Sequence, residues 1–119
     1  MSTPPVPPIE TDRPPAWEIL EQALTHQRAV RANYHGQQRL LCPHALGWKN
    51  GRAKALIYQA GGGTSTGELP ANPQQRWRPM FIDEIEQPAI TNDQWQTTNN
   101  YTPDSTGIDT IAIAITEAP

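Results

Sequence analysis

The chain has 119 residues and a mass of 13.2 kDa, the size of one small domain with no room for a second independent core. Hydrophobic residues make up 36% and charged residues 18%, while 13 prolines stand far above ordinary usage, so much of the chain is loop or tail. A formal charge of −3 excludes a globally basic protein, and the single cysteine, Cys42, excludes a disulfide-stapled secreted scaffold and fits a reducing compartment.

Prolines at positions 4, 5, 7, 8, 14 and 15 remove backbone donors and predict an extended, disordered tail over residues 1–15, leaving 16–119 as the single domain. After Pro14-Pro15, the i, i+3, i+7 spacing of Trp17, Leu20 and Leu24 predicts a short amphipathic helix over Ala16 to Gln27. From Ala29 the period becomes two. Val30, Ala32 and Tyr34 alternate with Arg31 and Asn33, and His35-Gly36-Gln37 reads as a tight turn. The next strand, Arg39 to Trp48, contains Pro43, which belongs at an edge or bulge, and Gly47, which permits a bend. Asn50-Gly51 is the clearest hairpin signal and leads into Ala53–Ala60.

A polar loop follows from Gly61-Gly62-Gly63 to Gln75; without the lysine and helix of a P-loop, its glycines do not read as a phosphate cradle. Trp77 to Ile82 and Ile85 to Ile90 resume as strands, and Trp95 closes the segment. Ile111, Ile113 and Ile115, alternating with Ala112 and Ala114, predict a final strand that closes the sheet. The expected core is Val30, Leu41, Leu46, Leu56, Phe81, Ile82, Ile85 and the three terminal isoleucines. One helix followed by short, bent strands predicts a mainly β (α+β) fold, a small open or closed β-barrel with one N-terminal helix.

Charge is segregated along the chain. Residues 28–78 hold eight bases (Arg28, Arg31, Arg39, Lys49, Arg52, Lys54, Arg76, Arg78) against Glu68 alone, whereas residues 79–119 hold seven acids and no base. Tyr34, Trp48, Tyr58 and Trp77 interleave with the bases, the mixture that holds phosphates and stacks bases. The alternative is that the acidic third folds back and neutralises the block through cross-strand pairs, for instance Arg78 with Asp83 or Glu86.

Catalytic and cofactor motifs are absent: there is no P-loop, GxGxxG, CxxC, HExxH or GxSxG. Cys42 and His44 share one face of an ideal strand, but Pro43 distorts it and no third residue orients the histidine, so no enzyme is expected. His26, His35 and His44 lie on different elements without metal-ligand spacing, so no metal is expected either. No apolar run approaches the ~20 residues of a membrane span, which predicts a soluble, cytoplasmic protein.

Tyr34-His35-Gly36, Cys42-Pro43-His44-Ala45-Leu46-Gly47, Asn50-Gly51-Arg52, Tyr58-Gln59-Ala60-Gly61-Gly62, and Trp77-Arg78 leading into Phe81-Ile82-Asp83-Glu84-Ile85 resemble the WYL-domain family in its short, stand-alone bacterial form. The order and spacing match over roughly Ala23 to Trp95. The family's Trp-Tyr-Leu tripeptide falls near Ala53-Lys54-Ala55, where none of it remains, and Glu84 stands where the family has an arginine. The resemblance implies an SH3/Sm-like bent barrel acting as a non-enzymatic ligand-sensing module, without cofactor, that binds single-stranded nucleic acid or a nucleotide. Carried over by position, Tyr34, His44 and Arg78 match the family's ligand-facing set, with Arg39 and Arg76 as phosphate contacts. The alternative is a protein-interaction module whose partner is a regulatory or defence-related protein or, as a homo-oligomer, a second copy.

Overall fold

The computed structural model describes residues 13–64, 67–99 and 108–115. Of the tail expected over residues 1–15, only Arg13 to Pro15 fall among them. Helix α1 (Ala16–His26) starts behind Pro15 and buries Ala16, Trp17, Leu20, Ala23 and Leu24, the predicted stripe widened by two alanines. Gln27 ends it in the left-handed region (φ 52°), its N–H donating back to the Ala23 and Leu24 carbonyls. Arg13 sits over the indoles of Trp17 and Trp48, which stack at 4.9 Å. The helix start is thereby tied to the sheet.

Six antiparallel strands follow: β1 (Arg28–Tyr34), β2 (Gln37–Lys49), β3 (Arg52–Gly62), β4 (Trp77–Phe81), β5 (Ile85–Gln94) and β6 (Thr110–Ala114). Both short hairpins turn as the sequence predicts, His35-Gly36 and Asn50-Gly51 each placing two residues at positive φ, as a type I′ turn requires. The ladder order is β4-β3-β2-β1-β5, and β6 pairs with β2. On that edge β2 is shared, since β1 covers Gln37–Leu41 and β6 covers Ala45–Trp48. Pro43, which has no N–H to give, falls in the gap between the two ladders.

Gly47 is the point of closest approach. A Cβ there would lie 2.0 Å from the Thr110 carbonyl oxygen, so only glycine admits β6. β4 and β5 are joined by a single 3₁₀ turn, Ile82–Glu84, and no ladder links them among the described residues. The sheet is therefore open, not the closed barrel that a terminal closing strand would have made, because β6 caps half of β2 instead of bridging the two edges.

The central core unites α1 with the inward face: Trp17, Leu20, Leu24, Val30, Leu41, Leu46, Trp48, Ile57, Met80, Ile82 and Ile85. Three expected core residues lie elsewhere. Alternation turns Leu56 to the outer face, where it packs with Ala45 and Trp77. Phe81 is half-buried and carries the Arg52 guanidinium 3.8 Å from its ring centre. Ile111 is 43% exposed, after the register shift between Leu46 and Gly47.

Candidate anion-binding site

The strand registers decide which side chains share a face. Ala32 opposes Arg39 and Ile57 opposes Arg78, and both Ala32 and Ile57 belong to the central core, so Arg39 and Arg78 stand on the inward face. Tyr34 joins them from β1: the Arg39 guanidinium carbon lies 5.1 Å from its ring centre. The Tyr34 hydroxyl accepts from the Phe81 N–H at 3.3 Å, so the end of β1 is bonded to the end of β4 across the mouth of the curled sheet.

Arg39 is buried, and that burial, reinforced by the charge of Arg78, lowers its pKa from the usual arginine value, while Tyr34 opposes the shift. It stays a cation throughout the physiological range. Burial likewise raises the Tyr34 phenol, against the Phe81 N–H bond that lowers it, so the hydroxyl stays protonated. The Arg78 side chain makes no ion pair or hydrogen bond with any described residue. Beside this cluster an open depression of about 300 Å³, lined by Arg31, Gln38, Arg39, Leu40, Gly61, Gly62 and Asp93, brings a third guanidinium near.

The structure thus brings together three of the five expected site residues. The other two lie apart. Arg76 donates through Nε to the Pro70 carbonyl at 2.7 Å, which fastens the loop before β4. His44 is fully buried toward the outer face: its Nδ1–H donates to the Cys42 carbonyl at 2.8 Å, which leaves Nε2 to accept from the Thr97 hydroxyl at 2.8 Å. Burial pushes its pKa down to about 4, so it is neutral at pH 7. Cys42 accepts the Gln96 N–H at 3.3 Å, and burial pushes the thiol up to about 11, the setting of an inert cysteine.

Among the described residues, acids pair with two members of the basic block. Arg52 pairs with Asp83 at 2.8 Å and Glu84 at 2.7 Å, and Lys49 with Asp109 at 3.7 Å; Arg78 is not paired with Asp83 or Glu86. His35 also bonds Glu84 at 2.5 Å, and these bonds, with His35 the larger cause, hold the Glu84 carboxyl below its usual range. The Tyr34 ring meets both groups: the His35 imidazole stacks on it at 4.0 Å and the Arg39 guanidinium carbon lies 5.1 Å from its centre.

Comparison of the chain with protein-family models, with curated proteins and with solved structures found no match in any of the three. The geometry is therefore the ground for a functional reading.

Two features were missed from sequence. Gln59 sits on the inward face beside Leu41, and its side-chain amide donates to the Gly61 and Gly63 carbonyls; the parity of Ala55, Ile57 and Gln59 along β3 was the available signal. Residues Trp95–Asn99 form a strap across the outer face, held by side chains of Cys42, His44, Trp77 and Gln74. No periodicity marks such a segment.

Proposed function

We propose that the chain is a non-enzymatic, cytoplasmic WYL-like ligand-sensing module, its sheet curled as an SH3/Sm-like barrel, that binds single-stranded nucleic acid or a nucleotide through Tyr34, Arg39 and Arg78. One observation carries the reading: the Arg39 guanidinium lies over the Tyr34 ring on the face of the sheet that also carries Arg78. A phosphate that reached both guanidiniums would accept charge-assisted hydrogen bonds from each. The curled-barrel part of the reading is supported by the Tyr34–Phe81 bond between the ends of β1 and β4.

Fluorescence anisotropy of a labelled single-stranded oligonucleotide tests it. Binding at about 50 mM salt should weaken as salt rises, with a log–log slope near −0.7 per phosphate contact. Arg78→Ala should cost about 1–3 kcal/mol of affinity. Arg28→Ala, at the far end of β1, should leave it almost unchanged. No binding by wild type at about 50 mM salt and ~100 μM protein overturns the reading.

A second reading, a protein-interaction module, is favoured by Ile90 and Ile111, which are 40% and 43% exposed on β5 and β6. Ile90→Asp with Ile111→Asp should then abolish capture of a partner that wild type retains from cell extract.

A further inference from the structure

The β2–β3 ladder ends on the pair Lys49 and Arg52, so the turn residues Asn50 and Gly51 stand beyond it. Both have positive φ, 51° and 80°, a region that asparagine tolerates and glycine enters freely. Asn50 is exposed, and its side-chain carboxamide bonds no described residue. The Gly51 N–H likewise bonds no described residue, and a Cβ built on Gly51 would meet no atom within 4 Å. An amide carbon and the amide nitrogen that follows it are thus both unengaged at the tip of a hairpin, with no side chain on the glycine to shield either.

That juxtaposition is reactive. The Gly51 nitrogen can attack the Asn50 side-chain carbonyl carbon: a new C–N bond forms, the carboxamide C–N bond breaks, and ammonia leaves with the proton that the Gly51 nitrogen gives up. Water then opens the cyclic imide at one of its two carbonyls. Opening at the side-chain carbonyl restores the backbone and leaves aspartate; opening at the main-chain carbonyl routes the backbone through the side chain and leaves isoaspartate. The sum is asparagine and water to a carboxylic acid and ammonia, so the turn gains one negative charge. Other asparagines are less disposed to it. Asn33 donates to Gln87 at 3.3 Å, and Asn72 precedes Pro73, whose nitrogen has no hydrogen to give.

The new charge arrives beside an old one. The Asn50 N–H donates to Asp109 Oδ2 at 3.2 Å and Lys49 pairs with Oδ1 at 3.7 Å, while the Asp109 N–H donates to the Trp48 carbonyl at 2.9 Å. Asp109 is the residue before β6, so these bonds fasten the start of that strand to the β2–β3 turn. A carboxylate on residue 50 repels Asp109, and the extra backbone carbon of isoaspartate shifts the N–H that Asp109 accepts.

We propose that Asn50 is a site of spontaneous deamidation, and that the carboxylate it gains loosens the tie between the β2–β3 turn and the start of β6.

The test incubates the full chain at mildly alkaline pH and follows residue 50 by peptide mass spectrometry, where conversion adds about one dalton. Labelling by an isoaspartyl methyltransferase identifies the isoaspartate product. Asn50 should convert about tenfold faster than Asn92, whose successor Asp93 carries a side chain. Converted protein, separated by its added charge on an anion exchanger, should show amide exchange at Asp109 about tenfold faster than fresh protein, with Ile115 at the far end of the ladder less affected. Asn50→Gly keeps a pair suited to this turn but has no carboxamide, so on the same incubation it should neither gain the mass nor lose the protection. The comparison of aged with fresh wild type stands even if that variant folds poorly. Conversion at Asn50 no faster than at Asn92 overturns the site. Conversion that leaves the Asp109 amide unchanged overturns its consequence, as does an equal loss of protection in aged Asn50→Gly.

Discussion

The His44 imidazole lies against the Trp95 indole, ring centres 4.3 Å apart and planes inclined by 25°. With Trp77 meeting the same imidazole edge-on at 4.5 Å, the histidine is enclosed by aromatic rings and by the Cys42 carbonyl it bonds. It joins the strap to the sheet as a neutral group.

Acid should therefore weaken the fold in a defined window. The native pKa of His44 is depressed to about 4 from an ordinary 6.5, so above 6.5 both folded and unfolded states are neutral there and its contribution is complete. As pH falls below 6.5 the unfolded chain binds a proton that the native state refuses, and stability declines until the native group titrates near 4. The integrated loss is about 3 kcal/mol, since one pKa unit corresponds to about 1.4 kcal/mol. Urea unfolding between pH 7.5 and 5 reads about 2 kcal/mol of it, before the depressed Glu84 carboxyl begins to protonate. His44→Gln should flatten the curve in this window; an unchanged slope would mean that other groups carry it.

Gly47→Ala should expel β6 and little else. The added carbon meets the Thr110 carbonyl oxygen at 2.0 Å and the Ile108 side chain at 2.6 Å, and the first of these is backbone that cannot rotate away. Amide protection at Asp109 and Ile115, which donate to the Trp48 and His44 carbonyls, should vanish with that of β6. The β1–β2 and β2–β3 ladders should persist, at a cost of about 1–3 kcal/mol overall. Retained protection at Ile115 would sink the idea that this glycine exists to receive β6.

The elements were legible because their signals are local. The Trp17, Leu20, Leu24 stripe, the Asn50-Gly51 turn and the alternation of Val30, Ala32 and Tyr34 each depend on neighbours within a few residues. Placement was not. Leu56 follows the alternation of β3, but that Ala45 meets it in the outer cluster depends on the register shift between Pro43 and Ala45, a property of two strands together. The same holds for the site: Tyr34, Arg39 and Arg78 meet through three ladders, whereas His44, the same kind of polar residue by sequence, was taken into the outer cluster by Trp95 and Thr97, 51 and 53 positions later.

Tyr34 serves two purposes that substitution can separate. Its hydroxyl accepts the Phe81 N–H and ties β1 to β4, while its ring is the platform for Arg39. Tyr34→Phe removes the first and keeps the second. It should leave the Phe81 N–H without its partner and lower stability by about 1 kcal/mol, with oligonucleotide affinity close to wild type. Tyr34→Leu removes both: a branched aliphatic side chain has no quadrupole to hold a guanidinium, so Arg39 loses its stacking and affinity should fall by about threefold to tenfold in addition to the loss of stability. Thermal melts and anisotropy titrations on the two variants at one salt concentration distinguish the roles. If Tyr34→Phe loses as much affinity as Tyr34→Leu, the hydroxyl serves the ligand directly and the stacked ring is only a spacer.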